Sequence, residues 1–278
     1  MEYLVPVSVE EALQLAAGRA RYVAGGTDLA VQLSGGAPLP QALVDVSGLP
    51  ELLRLEVGPG GLRIGAAVTI EHLAGAPDLP ACLSQGARAI GSPQVRSLAT
   101  LGGNLCNASP CGDTLAPVIA LDGRLVLASP GSRREVPAER FFTGPKATVL
   151  RPGELLVEVL FGPQALEGSS AFRMIGQREG QAISQVNVAV WVLLRANGII
   201  AEIRAAAGSV APTPVRLPGA ERVLRGKAWS AGLGQEAGRA AAAEILPISD
   251  VRAPAGYRRL AAAALLQEAL AEACGRGQ

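Results

Sequence analysis

The chain has 278 residues, 49% of them hydrophobic, enough for one large domain or two ordinary ones, which excludes a disordered segment or a small cross-linked scaffold. Twenty-five Lys and Arg against 24 Asp and Glu leave a net charge of +1, which argues against nucleic acid or an anionic membrane surface as a partner. No apolar run reaches the roughly 18 residues that cross a bilayer, and Met1-Glu2-Tyr3-Leu4 carries no basic-then-apolar leader, so a cytoplasmic chain without a transmembrane segment is expected.

With 34 glycines and 20 prolines, about 12% and about 7% against the usual ~7% and ~5%, the sequence predicts many short elements joined by turns. Ser8-Val9-Glu10-Glu11 has the capping-box spacing and precedes Ala12, Leu13, Leu15 and Ala16, a short helix that Gly18 would stop. Tyr22-Val23-Ala24 reads as a brief strand running into Gly25-Gly26-Thr27-Asp28-Leu29. Further strands are predicted over Leu43 to Val46, Leu53 to Val57 and Leu62 to Ala66, the last two joined through Gly58-Pro59-Gly60-Gly61, and a helix over Pro80 to Ala89.

The next stretch, Ile90 to Gly123, is rich in Gly, Ser, Asn, Thr and Pro, yet holds too many apolar side chains for a linker, so a buried, ordered loop is expected. Strand character resumes over Arg124 to Ala128 and again over Glu154 to Phe161, after the Pro152-Gly153 turn, and a domain boundary falls near Gly162 to Ser170. Beyond it, Val186, Val188, Val190, Val192 and Leu194 alternate, Ala196-Asn197-Gly198 turns the chain, and Ile199, Ala201 and Ile203 return: an antiparallel hairpin. Ala240 to Ala243 suits a helix, and Ala262, Leu265, Leu266, Ala269, Leu270 and Ala273 make the stripe of an amphipathic one.

Chemistry-bearing residues are few. Cys82, Cys106, Cys111 and Cys274 form no CxxC pair, and no further thiolates stand beside Cys106 and Cys111 to complete a zinc or iron–sulfur site, so no metal site is assigned. His72 is the only histidine, and surface or loop packing suits it better than catalysis. Gly25-Gly26-Thr27-Asp28 and Thr100-Leu101-Gly102-Gly103-Asn104 admit two readings: turns that need positive φ, or concave arrays of N–H groups that hold the two phosphates of one pyrophosphate. Neither matches the dinucleotide fingerprint GxGxxG nor the P-loop GxxxxGK[ST].

VAGGTDL (Val23 to Leu29), GSPQVR (Gly91 to Arg96), TLGGNLCNASPCGD (Thr100 to Asp113) and ALDG (Ala120 to Gly123) together resemble the FAD-binding medium subunit of the molybdenum hydroxylases. That group includes enzymes of carbon-monoxide-dehydrogenase and xanthine-dehydrogenase type. The resemblance continues in order through FFTGPKATVLRPGELL (Phe141 to Leu156), FRMIGQREGQAISQVNVAV (Phe172 to Val190), GSVAPTPVRLPGAERVLRGK (Gly208 to Lys227) and ISDVRAPAGYRR (Ile248 to Arg259).

The resemblance implies an α+β chain: a two-part FAD-binding domain of the PCMH type over residues 1–165, with subdomains about 1–55 and 56–165, then a smaller C-terminal domain over 170–278 of antiparallel sheet plus helices. It implies FAD, its pyrophosphate cradled by Ala24, Gly25, Gly26, Thr27 and Asp28 and by Thr100, Leu101, Gly102, Gly103 and Asn104. Asp113 would hold the adenosine-ribose hydroxyls, unless it is a turn or helix-cap carboxylate. Ile90 and Cys106 match apolar positions near the isoalloxazine ring, where Cys106 is better read as a small core side chain than as a redox thiol. Leu156 also matches a cofactor position, and Arg173, where a lysine is commoner, would bring a cation toward the flavin. Arg178, Asn187 and Arg252 are read as ties between the two domains.

By comparison with that family, the chain lacks both the cysteine sets for two [2Fe-2S] clusters and the separate molybdopterin-binding chain, so the resemblance implies that it does not hydroxylate a substrate alone. The resemblance therefore implies a small [2Fe-2S] subunit and a large molybdopterin-binding subunit as partners, with electrons passed from the former to FAD and on to NAD, a quinone or oxygen. No side chain is assigned as catalytic, because the flavin ring carries the chemistry. Alternatives are a free-standing FAD oxidase of the same fold, against which stands the lack of a flavin-linking His or Cys in the first loop, and an FAD-free scaffolding subunit.

Overall fold

The computed structural model describes residues 1–16, 20–178 and 180–275. The N-terminal part builds a parallel sheet in the order Glu2–Leu4, Ala42–Asp45, Arg21–Val23, with Tyr3 opposite Leu43 and Tyr22 opposite Val44. Parallel neighbours need crossover connections, and the helices Val9–Leu15 and Leu29–Ser34 lie in them. Ser8 starts the first helix by accepting from the Glu11 N–H at 3.1 Å, and the Glu11 carboxylate accepts from the Val7 N–H at 2.7 Å. The predicted capping box thus forms, with its return bond one residue before the cap. Gly18, the predicted stop, lies outside the described residues.

An antiparallel sheet follows in the order Leu55–Gly58, Gly61–Gly65, Leu155–Phe161, Arg124–Ser129, Ser132–Pro137. Leu53, expected in a strand, instead closes a 3-10 turn over Pro50–Leu53, whose leading proline presets the helical φ. Leu62, Ile64, Leu125, Leu127 and Leu156 of this sheet share a buried core with Leu73, Leu83, Leu101, Leu105 and Leu115 of the helices Ile70–Gly75, Ala81–Ala89, Leu101–Asn107 and Leu115–Ala120.

The predicted ordered loop over 90–123 is ordered, but it contains three short helices, Pro93–Arg96 and the last two just named. Ser92 and Thr100 cap the first two, accepting from the N–H groups of Val95 (3.3 Å) and Gly103 (3.0 Å). Such caps are short local signals, and the surrounding Gly, Asn and Pro conceal them.

The C-terminal sheet runs Ser169–Ile175, Val186–Leu194, Ile200–Gly208, Val215–Arg216, all antiparallel. Its central hairpin turns at Asn197-Gly198, where Gly198 has φ +75°, as the sequence predicts. Val186, Val188, Val190 and Val192 face a core shared with Ala262, Leu265, Leu266, Ala269 and Leu270 of the helix Ala255–Gly275. The alternate residues Ala189 and Trp191 enter the core of the preceding sheet instead. A strand buried on both faces welds the C-terminal sheet to what precedes it, and Trp191, fully buried, is its largest plug. The fold is α+β, as expected, and no described helix is long and apolar enough to cross a membrane.

Candidate functional site

After the strand Arg21–Val23 the chain turns through Ala24 to Asp28 into the helix Leu29–Ser34. Two glycines allow this for different reasons. Gly26 has φ +67°, a conformation that L side chains resist, with Val23 Cγ2 at 3.8 Å the only atom close to a would-be Cβ. Gly25 instead lies so close to the Leu98 carbonyl that a Cβ would overlap it. The first glycine segment is thereby pressed against the residues leading into the second. Among the described residues, the N–H groups of Gly25, Gly26, Thr27 and Asp28 have no acceptor. Four consecutive donors without partners, on a turn, are what an anion requires.

The second segment differs. Leu101 N–H donates to the Val68 carbonyl (3.0 Å), Gly102 N–H to the Ala66 carbonyl (2.8 Å), Gly103 N–H to Thr100 Oγ1 (3.0 Å) and Asn104 N–H to the Thr100 carbonyl (3.0 Å). Of the two amide arrays expected from the Gly-Gly pairs, the protein leaves only the first open. Gly102 is glycine because the helix Leu101–Asn107 packs on the strand end: a Cβ there would stand 2.7 Å from both Cβ and carbonyl oxygen of Ala66. Leu101 is fully buried in the core and lines neither cavity described next.

Two cavities flank these segments. One of about 310 Å³ is walled by Ala24, Thr100, Gly102, Gly103, Cys106 and Leu156 among others. A second, of about 630 Å³, lies against Asp28, Ile90, Asn104, Asp113 and Lys146 on one side and Ala182, Ser209 and Arg258 on the other. Both fall in the size range of cofactor sites. Ile90 and Cys106, read together as neighbours of one ring, line different cavities. Burial pushes the Cys106 thiol up to about 12, so it stays a neutral thiol and behaves as a small apolar wall.

Asp113 is almost fully buried and accepts from the Ser184 hydroxyl and from Asn187 Nδ2 (3.0 Å), both in the C-terminal part. Burial pushes its carboxyl up to about 6, and the two donors only partly offset that. Asn187 is thus a tie between domains, as read from the sequence. Among the described residues, the hydrogen bonds and ion pairs of Arg178 and Arg252 stay within the C-terminal part: Arg178 donates to the Gln181 carbonyl (3.0 Å), and Arg252 stands 3.6 Å from Asp250, with its carbonyl accepting from Gln185. Arg173 lines neither cavity. Its guanidinium pairs with Glu272 and donates to the Phe172 carbonyl (2.9 Å), and Gln85 bridges Glu272 (2.7 Å) to the Phe172 N–H (2.6 Å). This cluster fastens the strand Ser169–Ile175 to the helices Ala81–Ala89 and Ala255–Gly275, a structural placement the expected flavin contact did not foresee. His72 is exposed, with its backbone N–H on Thr69 Oγ1.

Residues 1–163 match the family model described as the FAD binding domain in molybdopterin dehydrogenase, and residues 170–273 match the CO dehydrogenase flavoprotein C-terminal domain. The chain belongs to the FAD-binding medium subunits of the molybdenum hydroxylases. It is 34% identical to the putative xanthine dehydrogenase FAD-binding subunit of Escherichia coli K12, over 94% of this chain and 92% of that one. It is 32% identical to the carbon monoxide dehydrogenase medium chain of Hydrogenophaga pseudoflava, over 99% and 97%. A solved structure of the carbon monoxide dehydrogenase from Hydrogenophaga pseudoflava superposes with a TM-score of 0.92 at 33% identity, covering 99% of this chain and 98% of that one. Quinoline 2-oxidoreductase from Pseudomonas putida 86 gives 0.91 at 27% identity, covering 99% and 97%. This medium subunit is therefore an oxidoreductase component whose cofactor is FAD. The unpartnered amides of Gly25 to Asp28, set between two cavities, fit a cofactor made of two ring-bearing halves joined by a pyrophosphate.

Proposed function

We propose that this chain is the electron relay of a multi-subunit molybdenum hydroxylase. It takes electrons from a small [2Fe-2S] subunit, itself fed by a large molybdopterin-binding subunit, and delivers them to NAD, a quinone or oxygen. The observation that carries this reading is the run of four unpartnered N–H groups at Gly25 to Asp28 between the two cavities. They would hold the pyrophosphate of FAD, with Ala24, Thr100, Gly102, Gly103, Cys106 and Leu156 around one half of the cofactor and Ile90, Asn104 and Asp113 around the other. Thr100, Leu101 and Gly102 act as the frame on which the first segment rests. Bound FAD supplies a carrier that joins one-electron donors to two-electron acceptors. The protein's own part is to orient it and to wall the larger cavity with Ser209, just after the strand Ile200–Gly208, and with Arg258 of the helix Ala255–Gly275.

In this reading residues 1–165 are the FAD-binding domain, in subdomains about 1–55 and 56–165, and 170–278 the C-terminal domain. The chain works in the cytoplasm, where its four free cysteines stay reduced. The test is omission from a complex reconstituted with its partner subunits. Without this chain, substrate should still bleach the iron–sulfur absorption while turnover with the acceptor falls to background, and adding it back should restore turnover. Undiminished acceptor turnover without this chain would refute the relay role.

A further inference from the structure

The chain has 23 arginines and only two lysines, Lys146 and Lys227. Lys146 occupies a position that is hard to explain by folding. The strands Phe142–Gly144 and Ala147–Thr148 are joined by the two-residue turn Pro145-Lys146, and Lys146 there has φ +61°. Proline first and a left-handed residue second is the turn in which glycine is strongly favoured at the second place. A long β-substituted side chain in that place stores backbone strain, and strain of this kind collects at ligand clamps. Its backbone N–H donates to the carbonyl of Ala108 (2.9 Å), which is itself left-handed at φ +46° and ends the helix Leu101–Asn107. Two non-glycine residues in unfavourable conformations thus brace one another beside the second glycine segment.

The strained turn aims the side chain. Lys146 Nζ donates to Asn107 Oδ1 (2.8 Å) and stands 3.9 Å from Asp28 Oδ1, at the end of the four unpartnered amides. It lines the larger cavity and keeps N–H donors to spare. The other cations of that cavity, Arg252 and Arg258, come from the opposite wall and face Asp250, at 3.6 and 2.8 Å, with Arg258 also bound to the carbonyls of Gln185 and Ser209. An ammonium binds phosphate as a compact point charge, which needs no bidentate alignment and so suits an approach from one side.

Resting on the FAD site proposed above, we infer that Lys146 is a phosphate-binding residue, pairing with the cofactor's pyrophosphate where it leaves the amides of Gly25 to Asp28. The test uses the full chain stripped of flavin and titrated with FAD and, separately, with riboflavin, which has the ring but no phosphate, following flavin fluorescence. In Lys146→Gln and Lys146→Gly, FAD affinity should fall about tenfold, the size of a lost charge-assisted bond, and the loss relative to unmodified chain should shrink as salt rises. Riboflavin affinity should not change, and Lys146→Gly should melt no lower than the unmodified chain, because glycine relieves the strain. FAD affinity within twofold of the unmodified chain in both variants overturns the inference, as does an equal fall in riboflavin affinity. An unmodified chain that binds riboflavin but gains nothing from the pyrophosphate of FAD would instead overturn the site assignment itself.

Discussion

Gly26→Val should yield a folded chain that no longer retains FAD. The residue sits at φ +67° with open space around a would-be Cβ. The fold therefore loses only the backbone preference, about 1–2 kcal/mol for an L residue held left-handed, somewhat more for a β-branched one. For a chain of this size that is a fall of several degrees in melting temperature. The cofactor loses more. Valine drives the 25–28 turn toward φ below zero, which swings adjacent N–H groups away from a common centre, and a concave anion site depends on that convergence. The variant should carry at least tenfold less FAD after desalting while keeping its far-ultraviolet circular dichroism. Full occupancy in the folded variant would remove Gly25 to Asp28 from the site.

Gly102→Val should fail earlier, in the fold. From the sequence the two Gly-Gly pairs look equivalent, and loss of flavin from an intact chain is the natural expectation for both. In the structure Gly102 is buried, its N–H is bound to Ala66, and a Cβ would sit 2.7 Å from the Ala66 carbonyl oxygen. The helix Leu101–Asn107 would have to lift from the strand end, breaking that bond and opening the core around Leu101 and Leu105. Overpacking of this kind costs about 1–3 kcal/mol, and an unpaired buried amide adds about 1–3 more. Low soluble yield and a melting temperature lower by roughly 5–15 °C are expected, scaled from, with flavin loss as a consequence. A flavin-free preparation that melts within a degree of the unmodified chain would show that Gly102 is not a packing glycine.

Much of the architecture is legible because local chemistry and tertiary packing agree. Asn197-Gly198 with alternating valines gives the hairpin, and Ala262 through Ala273 gives the helix that covers it, since both patterns are set by element geometry alone. The 90–123 stretch is harder. Its helices are four to seven residues long and held by Ser92, Thr100 and tertiary contacts, so periodicity has no length over which to show.

The candidate site divides in the same way. That glycines at 25 and 26 matter is visible, but which amides stay free depends on Val68 and Ala66 carbonyls contributed from another part of the chain. Arg173 is assigned to the flavin by resemblance, and only the three-dimensional pairing with Glu272 shows what its charge meets. Lys146 carries a signal of its own in the sequence, a Pro-Lys turn in a chain whose only other lysine is Lys227.

The central claim is a stoichiometric FAD held by this chain, and the FAD content of the purified protein tests it most directly. Absorption, followed by heat release and chromatography of the liberated ligand, should give oxidised flavin equimolar with the chain, released as FAD rather than as FMN or riboflavin. A colourless, folded chain that takes up no added FAD, alone or with its partner subunits present, would contradict the account.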